Sequence, residues 1–319
     1  MASKTYDLYN KLYNEFIEKC DWNQLSRVKL SPEFIMEFKD KLNWKIASQY
    51  QIMDECLIEN IKPYIDWKVI SRYQNLSEEF IRTHKHLVFW PDICNNQKLS
   101  EAFIEEMVDY IDWVSVSCTQ TLSEDFIRRY ADKVYWIFIS SNQTLSEEFI
   151  REFQDRVNWD GISSRQKLSE DFMNEFIDKL DKSHISMQQS LSEDFIRKHA
   201  DVLDWNKISV FQKLSEDFIR EFQDRVNWDM VSRFSTLSEK FIKEFQDRVN
   251  WKEISKYQNL TEKFIREFQD KVDWYNISVY HELSEKFIRD FKDKVDWCEI
   301  IRNQHLTTEF LEEFKNFQN

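Results

Sequence analysis

Residues that free or bend a backbone are scarce in this chain. Its 319 residues include one glycine, Gly161, and three prolines, Pro32, Pro63 and Pro91. A phosphate-cradling loop needs several glycines, so a dinucleotide-binding or P-loop fingerprint is excluded. Long flexible linkers are excluded as well. Cations are also short: 44 Lys and Arg stand against 58 Asp and Glu, a net charge of -14 at pH 7. Contact with a phosphate backbone needs Lys and Arg, so this balance argues against general affinity for DNA, RNA or an anionic membrane. No apolar run approaches the about 18 residues of a membrane span, and the start, MASKTYDLYN, lacks an apolar core. Neither a span nor a signal peptide is expected. The five cysteines, Cys20, Cys56, Cys94, Cys118 and Cys298, are odd in number, scattered, and form no C-x-x-C pair. Reduced thiols in a cytoplasmic setting, with no metal and no cofactor, are the expectation.

Tryptophan is what the chain has in plenty. Trp22 and Trp44 are followed, at steps of 23 residues, by Trp67, Trp90, Trp113, Trp136 and Trp159, and later by Trp205, Trp228, Trp251, Trp274 and Trp297. Lys182 occupies the one vacant grid point. A fixed period of this length is the signature of a repeat architecture. Aligned on the grid, the unit reads LSEDFIREFQDRVNWDxISxxQx and opens at Leu8, Leu30, Met53 and every 23 residues from there to Leu306.

The unit predicts two short helices. Ser215 is a good N-cap, and Glu216 and Asp217 follow where the helix dipole favours acids. Leu214, Phe218, Phe222 and Val226 recur at steps of four and Ile219 widens the stripe, which predicts one apolar helix face. Glu216 with Arg220 and Glu221 with Arg225 have the spacing of helical ion pairs. Asn227 caps a second helix whose Trp228 and Val231 face the core, and small Ser232 allows close approach. Neither helix can bury its stripe alone, so units must stack. The fold class is therefore all-α, an α-solenoid (curved or superhelical) of tandem 23-residue αα-hairpin repeats. It is read as one elongated repeat domain over 1–319, with an N-terminal cap unit at 1–29 and a C-terminal cap helix at 306–319.

The run LSEDFIREFQDRVNWDxIS resembles the short Trp-containing helical tandem repeats of proteins from giant DNA viruses and large phages. The resemblance covers nearly the whole chain. It implies an expanded viral repeat family acting in a host cytoplasm, and it brings no known activity. The units around His84, Trp136 and Lys182 depart from the pattern.

Four features invite a functional reading, and each has a structural alternative. The Gln seven residues after each Trp, from Gln51 to Gln304 and interrupted by Ser235 and His281, is either a ligand ladder or an amide that ties units together at helix ends. The position before it reads Tyr50 and Tyr73, then Asn96, Thr119, Asn142, Arg165 and Gln188, then Phe211, Phe234, Tyr257 and Tyr280. Those rings either form partner-binding patches, with Arg72, Arg233 and Lys256 at the rim, or fill grooves between units. Lys182 is either a perturbed amine or a side chain snorkelling to water. His84 and His199 stand at the position of Phe222, where packing is the plainer role. No nucleophile with a base and an orienting group is visible, so no enzyme is expected. The expected function is a protein-interaction scaffold; the alternative is an acidic decoy that mimics nucleic acid, and a base-by-base RNA reader is opposed by the charge.

Overall fold

The computed structural model describes residues 13–314; the outermost portions of both expected caps, 1–12 and 315–319, lie outside the described residues. The chain divides into two compact parts, one up to Asn158 and one from Trp159. Each is a helical repeat solenoid with the same unit, and among the described residues there is no β-strand. No helix among them is long and apolar enough to cross a membrane.

In the second part, a unit begins with the helix Glu216–Glu221 and continues with the helix Trp228–Phe234. The Ser215 hydroxyl accepts from the Phe218 amide at 3.2 Å, and Asn227 accepts from the Asp229 and Met230 amides, so both N-termini are capped by the expected side chains. The first helix is shorter than the sequence predicts. At Phe222 the backbone leaves the helix (φ -108°, ψ 29°), and one further turn follows, with the Arg225 and Val226 amides both donating to the Phe222 carbonyl. Apolar spacing alone could not reveal this stop, because a hydrogen-bonded turn preserves the four-residue rhythm. The reversal stays at negative φ; no described residue has a positive one, so the unit has no need of glycine.

The early stop also redirects the ion pairs. Arg220 does reach Glu216, loosely at 3.7 Å, but its closer partners are Asp217 at 2.6 Å and Glu244 of the next unit at 2.9 Å. Arg225 is no longer on a helix and pairs with Asp201 of the preceding unit, while Glu221 takes Arg197 at 2.9 Å. The expected Glu221–Arg225 pair is replaced by pairs between units.

Within each part, second helices pack on the second helices of the neighbouring units. Phe218 is sealed from solvent, as are Ile219, Val231, Phe241, Ile242 and Ile254, and these last five belong to one core that runs from Ile219 to Phe314. The tryptophans sit at the margin of that core. Trp205, Trp228, Trp251, Trp274 and Trp297 are partly buried and pack against it; in the first part Trp90 is buried, whereas Trp44, Trp67, Trp113 and Trp136 are half-buried, as is Trp159 at the start of the second. Indole chemistry explains this place. The Trp228 ring stacks on Phe241 and tilts on Phe245 at 5.0 Å, while its Nε1–H donates at 2.9 Å to the Gln223 carbonyl in the turn that ends the first helix. The ring thus buries its apolar body and satisfies its one donor at the edge. Lys182 keeps the second half of that role: its ammonium donates to the Asp178 carbonyl at 3.3 Å.

Two further ties join units. The Ser209 hydroxyl donates to the Trp205 carbonyl at 2.7 Å and accepts from the Asn227 amide of the next unit at 2.9 Å. The same relay occurs at Ser71, Ser117, Ser186, Ser255 and Ser278. The small Ser read as a spacer is therefore also a connector. At the other end of the unit, the Glu216 carboxylate accepts from the Ser238 amide at 2.6 Å.

Candidate functional site

The Gln ladder is a clamp. Gln258 donates from Nε2 to the Ser232 and Ser235 carbonyls at 2.9 and 2.8 Å, and its Oε1 accepts from the Leu237 amide at 2.9 Å. Gln51, Gln74, Gln97, Gln120, Gln212 and Gln304 make the same three kinds of contact one unit back. Their amide atoms are occupied by backbone groups at helix ends, which meets the accounting that buried polar groups require. Where Ser235 replaces Gln, the side chain is too short for this reach, and Leu214 is correspondingly less buried than Leu237 or Leu260. His281 keeps one contact, from Nε2 to the Ser255 carbonyl at 2.8 Å. Burial pushes its pKa below the ordinary histidine value, with the Ser255 hydrogen bond opposing.

The position before the Gln faces outward. Phe211, Phe234, Tyr257 and Tyr280 in the second part, and Tyr50 and Tyr73 in the first, are each between 43% and 52% exposed. In the second part they form an ordered row. The Arg233 guanidinium lies 5.0 Å from the Phe234 ring centroid and 5.2 Å from that of Tyr257. The Lys256 ammonium lies 5.1 Å from Tyr257 and 5.3 Å from Tyr280. Rings and cations therefore alternate over three consecutive units, and Phe211 holds the same position one unit earlier. Hydrogen bonding to Tyr257 raises the Lys256 pKa above the ordinary lysine value. The nearest carboxylate to Arg233 is that of Glu253, at 4.0 Å.

The first part treats the same position differently. Arg72 pairs with the buried Asp92 at 2.9 Å, and that hydrogen bond, with a smaller contribution from Tyr73, raises the arginine pKa further. Beyond Tyr73 the position turns polar: Asn96 and Thr119, with Asn95, Lys98 and Thr121, line an open groove of about 310 Å³. In this groove Thr119 donates to the Cys94 and Ser115 carbonyls, at 2.8 and 2.9 Å.

The divergent histidines serve packing. The His84 ring stacks on both Trp67 and Phe80, and its nitrogens face the Glu59 carboxylate at 2.7 Å and the Phe80 carbonyl at 2.9 Å. His199 packs on Phe195 and meets the Asn174 side chain at 2.7 Å. Cys94 takes the place of the relay serine; burial pushes its thiol up to about 11. Among the described residues no group of three or more His, Cys, Asp or Glu is arranged to hold a metal ion. Sequence reasoning located the row residues, but not the alternation of ring and cation, nor the exposed Ile137 and Tyr275 that immediately follow their Trp residues. Comparison with protein-family models, with curated proteins and with solved structures finds no match.

Proposed function

We propose that the chain is a non-enzymatic interaction scaffold and that its second part holds a partner protein on the Phe211–Tyr280 row. The observation that carries this reading is the row itself. Half-open Tyr rings beside an Arg are residue types enriched among the anchors of protein interfaces, and here they stand in one row with Phe234 and Lys256. The carboxylates of the first helices, by contrast, are engaged with arginines and backbone amides of neighbouring units, which leaves them poorly placed for acid–base chemistry. Tyr50 and Tyr73 supply a smaller patch on the first part, with Arg72 turned toward Asp92. The resemblance to viral repeat proteins favours a host cytoplasmic factor as the partner.

The test is capture from a host lysate, with nuclease added, by the full chain and by a Phe234→Ala/Tyr257→Ala/Tyr280→Ala variant of matched thermal stability. The expected result is a protein retained at high salt by the parent and lost by the variant. Equal retention by both would overturn the reading. A second reading, an acidic decoy for a nucleic-acid-binding protein, draws on the net charge of -14. It calls for a nucleic-acid-binding partner that is released as salt rises, since screening weakens such contacts, and that is indifferent to the three ring substitutions.

A further inference from the structure

The charge of the chain is sorted by position in the unit. In the second part, the four residues that end each second helix and turn into the next unit run from 164–167, at steps of 23, to 302–305. These seven stretches hold six Lys or Arg and one acid, Glu282, within a chain whose net charge is -14. The helix dipole favours cations at a C-terminal end, but it gives no reason for exposed rings beside them. Two of these cations, Arg233 and Lys256, occupy the gaps of the aromatic row. Arg220 at the start of the unit lies 2.6–2.9 Å from carboxylates, whereas Arg233 is 4.0 Å from its nearest and Lys256 is held between two phenol rings.

We propose, building on the scaffold reading, that the Phe234–Tyr280 row is a groove for an extended polyproline-II segment of the partner, carrying two acidic residues three positions apart. The repeat distance argues for this conformation. A cation about 5 Å from the ring on either side caps the spacing of consecutive rings at about 10 Å, and the second helices that carry the rings pack directly on one another, which spaces them by about 8–10 Å. A polyproline-II chain returns to the same face every three residues, a rise of about 9 Å. An α-helix returns after about 5.4 Å and a β-strand after about 6.6 Å, so neither keeps step. Every third side chain of a polyproline-II segment can thus meet a cation while the residues between pack on rings, the mode by which proline-rich segments dock on aromatic grooves. Charge complementarity selects acids for those third positions. Single-stranded nucleic acid also stacks on rings, but it brings one phosphate per base to a row with only two cations, and its affinity rests on many phosphate contacts.

The test uses the full chain and fluorescein-labelled probes followed by anisotropy. The first probe is a peptide of about five Glu-Pro-Pro triplets. The second has the same composition with its glutamates in one block. The third is an oligothymidylate of similar length. The triplet peptide is expected to bind at least about tenfold tighter than the block peptide, because only it keeps the register. Arg233→Gln/Lys256→Gln and Tyr257→Ala/Tyr280→Ala should each weaken it by about tenfold or more at unchanged thermal stability. Equal binding of the two peptides, no binding of either, or tighter binding of the oligothymidylate overturns the proposal. Should the peptides fail while the ring variant still loses its lysate partner, the scaffold reading stands and only the acidic polyproline-II segment falls.

Discussion

The two ends of one unit use charge in opposite ways. On the first helix, Arg220 bridges Asp217 in its own unit and Glu244 in the next, and the Glu216 carboxylate accepts from the Ser238 amide. At the end of the second helix, Arg233 and Lys256 lie between rings that are half open to water. The first arrangement joins a unit to its neighbour and leaves little for a third molecule. The second also links units, through Arg233 with Tyr257 and Lys256 with Tyr280, but it leaves its rings half open to water. In a repeat protein each position recurs along the array, so a difference between positions is a difference between whole edges of the solenoid.

The contrast is sharpest between adjacent residues. Gln258 is buried and clamped to three backbone groups, whereas Tyr257 is half exposed. Gln258→Ala should give the largest stability effect of any polar substitution in this unit, a loss of about 3 kcal/mol. It strands the buried Leu237 amide and two carbonyls, and each unsatisfied buried group costs roughly 1–3 kcal/mol. Urea unfolding followed by circular dichroism checks this; a midpoint shift no larger than that of Tyr257→Ala would erase the distinction between clamp and row. The reverse substitution sharpens the same comparison. Tyr257→Ala should weaken capture of the partner by about tenfold or more, as expected of an anchor residue, and lower the unfolding midpoint by clearly less than Gln258→Ala does.

A smaller effect is expected where the clamp is already defective. His281→Gln restores the missing contacts, including one to the Leu260 amide, and should stabilise the chain by about 1 kcal/mol. It should also remove a pH dependence. The folded-state pKa of His281 is depressed by burial, so the folded chain holds the neutral ring and the unfolded chain takes up the proton first. Stability from this site is complete above the unfolded pKa of about 6.5 and declines as pH falls below it toward the folded value. Unfolding midpoints at successive pH values should fall more steeply for the parent than for His281→Gln. Parallel curves would show that the histidine is not the source.

Much of this was legible in the sequence, and the gaps have physical causes. The Trp grid, the Ser and Asn caps and the Phe–Ile stripe announce two helices per unit because capping and apolar period are local properties. The end of the first helix at Phe222 was not legible, since the turn after it keeps the apolar spacing. The pairing of Arg225 with Asp201 was hidden for a related reason: it links residues 24 apart that only stacking brings together. The residues of the row could be named from their fixed offset after Trp, yet a ring at that offset could fill a groove or face solvent. Only the packing of neighbouring second helices decides which, and only their spacing sets Arg233 and Lys256 between rings.

The smallest effect is expected on the edge with the most ion pairs. Arg220→Ala removes contacts to Asp217 and Glu244, but both partners remain hydrated and exposed pairs contribute little once side-chain ordering and screening are counted. The unfolding midpoint should therefore be unchanged within error at physiological salt and fall slightly at low salt, where screening is weaker. Partner capture should be unaffected under both conditions. This near-silent outcome is informative because Arg220 has more and closer carboxylate contacts than Arg233. If removing Arg220 weakened capture as much as removing Arg233, contact with carboxylates would not distinguish the two edges, and the first-helix side would have to be counted as part of the binding surface. If only Arg233 matters, the cation that binds is the one its own fold has left without a close carboxylate.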